Sequence, residues 1–162
     1  LIDVVLGLGS NLGDREKYLK EAILQIEKQG LLKDIILSSI ITAKAMLPEN
    51  GPKEWDIDFL NMAVRGKTIL TAQELLKKIK KIEIEMGRMH RERWAPREID
   101  IDILVYGEEV IEEDHFTVPH KHLLERSWAI GPLAEVYPDW QYPILGACYK
   151  IFAKDIVKNL QK

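Results

Sequence analysis

Residues 99–103 read Ile-Asp-Ile-Asp-Ile. Strict alternation of apolar and acidic residues is the period of a β-strand, where residues i and i+2 share a face. A helix would send Asp100 and Asp102 to nearly opposite sides. On a strand their Cα atoms lie roughly 6.5–7 Å apart on one face, and Ile99, Ile101 and Ile103 bury the other. A chain with this segment must therefore build a sheet that is dry on one side and carries two carboxylates on the other. Two readings of that acidic face stay open from these residues alone. They are ordinary exposed positions of a half-buried strand, or they converge on Mg²⁺, which takes one or two protein carboxylates and leaves its other positions to water and phosphate. Arg97, just upstream, suits a phosphate chain.

The rest of the chain supplies partners for this strand. Ile2–Leu8 predicts a buried strand, and 9–13 a turn. Asp14 is a helix N-cap, Leu19, Ala22, Ile23 and Ile26 form an apolar stripe, and Gly30 ends the helix. Residues 34–42, rich in β-branched side chains, predict a second strand, and 56–65 a third with turn chemistry at Gly66. Between them, 43–54 contains Pro48, Gly51 and Pro52 and predicts a long loop with the character of a lid. Thr71 and Glu74 fit a capping box. The helix they open carries Leu75, Ile79, Ile82 and Met86, and Gly87 ends it. After the acidic strand, Gly107 marks a turn and Val110-Ile111 a short partner strand. One or two short helices are expected over 121–136, broken near Gly131-Pro132, and an amphipathic helix over 145–160. The order βαββαβ followed by helices predicts an α+β fold: a ferredoxin-like core with a mainly antiparallel sheet, helices on one face and additional C-terminal helices. The first strand and the Asp100 strand are expected at its centre.

The 162 residues make one domain, 1–162, with a core of ordinary size. A net charge of -3 argues against a dedicated nucleic-acid binder. No apolar run approaches the roughly 20 residues that cross a bilayer, and no leader segment is expected before the first strand. The lone cysteine, Cys148, allows no internal disulfide and no zinc site, which fits a reducing cytoplasm. The start at Leu1 rather than Met is compatible with origin in a longer polypeptide.

Several other residues carry a functional and a plain reading side by side. Gly7-Leu8-Gly9-Ser10-Asn11-Leu12-Gly13 fails as a dinucleotide fingerprint because its last glycine is one place late, so a tight strand-to-helix turn is the better reading. No P-loop is present. Arg88, His90, Arg91, Arg93 and Arg97 form either a solvated basic loop, a phosphate clamp or, less well, a nucleic-acid contact. Glu98 is expected to be solvated and Glu83 to be a surface residue at the border of its stripe. His120 reads as a loop histidine, and Phe59 and Trp128 as core aromatics.

Taken together, Gly9-Ser10-Asn11-Leu12-Gly13-Asp14, Phe59-Leu60-Asn61, Gly87-Arg88, Arg93-Trp94-Ala95-Pro96-Arg97, Ile99-Asp100-Ile101-Asp102 and Val118-Pro119-His120 resemble, in order and spacing, the 6-hydroxymethyl-7,8-dihydropterin pyrophosphokinases of folate biosynthesis. The resemblance implies transfer of the β,γ-pyrophosphate of ATP to the pterin hydroxymethyl group with release of AMP. It implies two Mg²⁺ ions held by Asp100 and Asp102, with Arg88 and Arg97 completing the catalytic set. Glu83, Arg88, Arg93, Arg97, Ile103, Thr117, His120, Lys121 and Arg126 match nucleotide-binding positions. Ala43, Lys44, Met46, Phe59, Asn61, Trp94, Asp100 and Trp128 match the pterin site, with Phe59 and Trp128 sandwiching the ring. No nucleic-acid or membrane partner is implied, and fusion to or association with another folate-pathway enzyme, as in some members, stays open.

The chain also departs from the family pattern. Ala43-Lys44-Ala45-Met46 replaces a Thr-Pro-Pro-like run, and Phe59 replaces a common Tyr. Ala95 replaces a common Gly, and His90, His115 and Lys121 stand where many members have Arg, Arg and Tyr. A nonenzymatic ferredoxin-like binding module and a nucleotidyltransferase are the alternatives. The product of ATP turnover separates all three.

Overall fold

A computed structural model describes residues 1–143 and the backbone of 151–152. Strand β1 (Ile2–Ser10) runs into a turn at Gly13, whose φ of +69° favours glycine. The Asp14 carboxylate accepts from the Lys17 N–H and opens helix α1 (Arg15–Lys28). Leu19, Ala22 and Ile26 are its buried stripe. Strands β2 (Lys33–Leu37) and β3 (Ile41–Ala43) stand where one strand was expected. The cause is Ser38: its N–H donates to the Ala63 carbonyl, and its Oγ, in place of a main-chain carbonyl, accepts from the Ala63 N–H. The chain turns there and re-enters the sheet at Ile41.

One 3₁₀ turn (Lys53–Trp55) precedes strand β4 (Phe59–Thr68). Gly66 lies within that strand, opposite Val4, not in a turn; an added Cβ would come within 2.8 Å of Leu32. The capping box at Thr71 forms in both directions and opens helix α2 (Ala72–Glu85). Strand β5 (Asp100–Tyr106) follows, then a hairpin of β6 (Ile111–Glu113) and β7 (Phe116–Val118). The Val118–Pro119 peptide is cis. Helix α3 (Ser127–Val136) runs unbroken through Gly131-Pro132, contrary to expectation. Burial of Ile130, Pro132, Leu133 and Val136 against the sheet outweighs the main-chain hydrogen bond that proline cannot donate. Strand β8 (Gln141–Tyr142) pairs with β9 (Ile151–Phe152). The helix expected over 145–160 otherwise lies outside the described residues, and at 151–152 the chain is strand.

The main sheet has the order β2-β4-β1-β5, all antiparallel, with β3 also paired to β4. β1 and β4 are therefore central and the Asp100 strand is an edge, not a centre. Ten-residue β4 holds β1 along one side and both β2 and β3 along the other, which leaves β5 only the outer side of β1. Helices also cover both faces, not one. α1 and α2 seal a dry core that includes Val4, Leu6, Leu8, Val64, Ile101 and Ile103. α3 seals a smaller one around Val5, Ala63, Leu104, Val105 and Ile130.

Candidate active site

The site begins as a gap in the second face. Register across the sheet aligns Asn61 of β4, Gly9 of β1 and Asp100 of β5 in one row, and Ala63, Gly7 and Asp102 in the next. The middle strand thus presents two glycines between Asn61 on one side and two carboxylates on the other. Strands lie about 4.8 Å apart, so the row spans roughly 10 Å. The gap at Gly9 is tightly held: a Cβ there would meet Asn61 Oδ1 at 2.9 Å and Phe59 Cδ1 at 3.4 Å. A shift in the β1–β5 register between Val5 and Leu6 turns both Leu104 and Val105 to this face, where Leu104 closes the floor beside Gly7.

A cavity of about 340 Å³ lies over this floor. Ala43, Lys44, Met46, Phe59, Asn61, Arg93, Trp94, Arg97, Asp100, Asp102, His120, Arg126 and Trp128 line it, so thirteen sequence-nominated residues from distant segments meet in one place. Phe59 and Trp128 are half-buried at its wall and do not belong to the core. Trp94 holds a left-handed backbone, φ +69°, unusual for so large a residue, and the Arg93 guanidinium stacks 4.8 Å from its ring centre. The Arg126 guanidinium lies 5.9 Å from the Trp128 ring. Ile103, Thr117 and Lys121 line an adjoining hollow that shares Asp102, His120 and His122 with the cavity. A wider cleft between Trp55 and Pro96 lies apart from the carboxylates.

Glu83 and Arg88 line neither space. Glu83, expected on the surface, is 1% exposed. Its Oε2 accepts from the Ile101 N–H at 2.7 Å, which ties α2 to the acidic strand. Lys80 Nζ lies 3.2 Å and Arg88 Nη1 3.7 Å from Glu83 Oε1. The same two cations reach the strand: Arg88 Nη2 is 3.5 Å from Asp100 Oδ1, and Lys80 Nζ 3.8 Å from Asp102 Oδ1. Arg97 Nη1 reaches Asp100 Oδ2 at 3.5 Å. Glu98, also expected to be solvated, is buried in a two-pronged pair with Arg91.

Electrostatics follow from this crowding. Burial, then the neighbouring Asp100, push the Asp102 carboxyl up to about 7, against the pull of Lys80. Its side chain is still 40% exposed, so solvent screens part of that penalty. Burial raises the Glu83 carboxyl, with Lys80 opposing. Burial alone would lower Lys80, but Asp102 and Glu83 together hold it above its ordinary value. Burial and the nearby Arg126 push His120 down to about 4, so it is a neutral imidazole near pH 7.

Lys80 and His122 escaped the sequence reading. For Lys80 a signal existed. Glu83 falls four residues after Ile79, within the apolar stripe, and a buried carboxylate calls for a cation one turn away. His122 carried none.

Two observations bear on what the site can hold. Asn61 Nδ2 and Arg88 Nε are buried and have no protein partner. Among the described residues, no three or more His, Cys, Asp or Glu side chains are grouped to hold a metal by themselves. Two carboxylates would supply part of a Mg²⁺ shell and leave the rest to phosphate and water, which is ordinary for that ion.

Residues 5–138 match the family described as 7,8-dihydro-6-hydroxymethylpterin-pyrophosphokinase (HPPK). The chain is 45% identical over 141 residues to the 2-amino-4-hydroxy-6-hydroxymethyldihydropteridine pyrophosphokinase of Aquifex aeolicus, covering 87% of this chain and 84% of that one. It is 40% identical over 155 residues to the folate synthesis bifunctional protein of Chlamydia muridarum, covering 93% of this chain and 34% of that one. It therefore spans about a third of such bifunctional relatives. A crystal structure of an HPPK-DHPS protein in complex with substrates superposes with a TM-score of 0.70 over 98% of this chain and 43% of that one. At 13% identity that likeness speaks for the fold alone. With its matched region covering most of its length and a relative so similar over nearly its whole span, the chain belongs to the 7,8-dihydro-6-hydroxymethylpterin-pyrophosphokinase family.

Proposed function

We propose that this domain transfers the β,γ-pyrophosphate of ATP to 6-hydroxymethyl-7,8-dihydropterin in folate biosynthesis. The hydroxymethyl oxygen bonds to the β-phosphorus and releases its proton to solvent, the bond from that phosphorus to the α-phosphate oxygen breaks, and AMP leaves. The observation that carries this reading is the row Asn61–Gly9–Asp100. It puts an amide, a bare floor and a carboxylate along one line of a cavity walled by Phe59 and Trp128. A flat polar heterocycle fits between two aromatic faces, and the unpartnered Asn61 Nδ2 donates to its edge.

Asp100 and Asp102 would hold two Mg²⁺ ions with the triphosphate. Metal bound by these two carboxylates would supply charge neutralisation for the phosphates. The like-charge crowding at Asp102 supports this fit, because a divalent cation relieves it. Arg97, Arg93 and Arg126 line the same cavity and are assigned to the phosphates. Arg88 is assigned to them through Asp100, and Ile103, Thr117, His120 and Lys121 to the nucleotide in the adjoining hollow. Glu83 is better read as the buried support of Ile101, Lys80 and Arg88 than as a direct nucleotide ligand.

Loop 44–52 sends Lys44 and Met46 into the cavity and is assigned as a lid that keeps water from the activated phosphorus. The domain, 1–162, is read as cytoplasmic, standing alone or joined to another folate-pathway enzyme as in the bifunctional relatives. Among the described residues no helix is long and apolar enough to cross a membrane.

Incubation with ATP, Mg²⁺ and the hydroxymethyl pterin tests the reading. AMP and pterin diphosphate are the expected products. Release of pyrophosphate would indicate nucleotidyl transfer instead, and absence of turnover would leave a binding module.

A further inference from the structure

Asn11 belongs to a sequence motif but lines neither the cavity nor the hollow beside it. It is fully buried, directly after β1. Its Oδ1 accepts from the Arg97 N–H at 2.8 Å, and its own N–H donates to the Arg97 carbonyl at 3.1 Å. Its Nδ2 donates to the Ile57 carbonyl at 3.1 Å. One residue thus takes both main-chain polar groups of Arg97 and one of Ile57, across separations of 86 and 46 residues.

Neither segment has regular structure at these points. Ile57 lies at the end of the loop that precedes Phe59. Arg97 ends the basic loop, and its guanidinium faces Asp100. The demand on the side chain is specific. An amide accepts and donates at once, whereas an ionised carboxylate only accepts and an apolar residue does neither.

We propose that Asn11 is a positioning residue for the transfer: it latches the basic loop to the end of β1, so that Arg97 keeps its place beside Asp100. The proposal rests on the function assigned above. Asn11 touches neither carboxylate nor cavity and acts only through the main chain of Arg97 and Ile57. The wall residues Phe59 and Asn61 stand in β4, Asn61 opposite Gly9 of β1 and Phe59 opposite Ala43 of β3. Losing the latch therefore disturbs the transfer step more than the pterin wall.

The test is steady-state kinetics of Asn11→Ala beside Leu19→Ala, a core truncation on α1. Both are assayed at a temperature where circular dichroism shows full folding. A misplacement of about 1 Å costs about a hundredfold in rate, so kcat of Asn11→Ala is expected to fall roughly 10- to 100-fold. The pterin KM should move less than about threefold, and Leu19→Ala should keep its kcat. A kcat for Asn11→Ala within about twofold of wild type overturns the proposal, as does an equal loss in Leu19→Ala. If Asn11→Ala does not fold, exchange of the wild-type Asn11 side-chain amide protons, followed by NMR, decides. Slow exchange is expected from the bond to Ile57, and rapid exchange overturns the latch. An inactive wild-type enzyme would refute the assigned function instead, while the exchange measurement would still report on the latch.

Discussion

The two faces of β5 are the sharpest contrast in the molecule. Ile99, just before the strand, together with Ile101 and Ile103, is at most 3% exposed and packs with α1 and α2. Asp100 and Asp102 alternate with them, are 25% and 40% exposed, and face arginines, a lysine and a cavity. One strand therefore divides its labour by residue parity: the apolar face supplies free energy of folding and the acidic face carries strain. Like charges side by side and a partly desolvated carboxylate are tolerated because Arg88, Arg97 and Lys80 lie within 4 Å of them and the opposite face is well packed.

Substitutions along β5 can break this contrast. The largest effect is expected for Asp100→Ala and Asp102→Ala, which should each lower turnover roughly 10³-fold, the several kcal/mol attributed to a metal clamp. Their melting temperatures should match wild type, and near-normal kcat at saturating Mg²⁺ would remove the carboxylates from the mechanism. On the other parity, Ile101→Ala should cost about 2–5 kcal/mol of stability in urea titrations. Its kcat per folded molecule should stay close to wild type, and a catalytic loss of the size seen for the aspartates would show that the two faces are not separable.

Smaller effects sharpen the picture on the cavity side. Trp128→Ala should weaken pterin binding by roughly 1–3 kcal/mol, as for loss of a stacked base, and ATP binding far less. Calorimetry with each ligand would reveal equal losses if Trp128 were merely core. The smallest effect concerns His120. Its folded imidazole is pushed down to about 4, below the ordinary 6.5. The unfolded chain therefore binds more protons between those values, and stability falls as pH drops from about 6.5 through about 4. His120→Gln should remove about 1–2 kcal/mol of that loss across the window once its partial exposure is allowed for. An unchanged pH profile of urea stability would show that the imidazole is not shifted by its surroundings.

What could be read from the sequence tracks what is local. The caps at Asp14 and Thr71 and the stripes of α1 and α2 depend on neighbours within a turn, and they formed where expected. Parity along β5 is local too, so the faces of Ile101 and Asp100 were legible. Pairing order is not: periodicity says that a segment is a strand, not which strand lies beside it, and β5 proved to be an edge. Of the groups that satisfy buried Glu83, Lys80 lies one turn away in the same helix and was open to a local reading, whereas the Ile101 N–H and Arg88 come from beyond the helix. The residues of the cavity were named through resemblance. Only the register of three strands explains why Asn61 and Asp100 face one another across an empty floor.

That floor has a consequence for inhibition. Because a methyl group on Gly9 would strike the Asn61 amide before it reached any bound molecule, position 9 offers little room for mutational escape. A compound resting on Gly9 and reading Asn61 would leave the protein a poor choice: a substitution that repels the drug also displaces Asn61, the amide proposed above to meet the pterin edge.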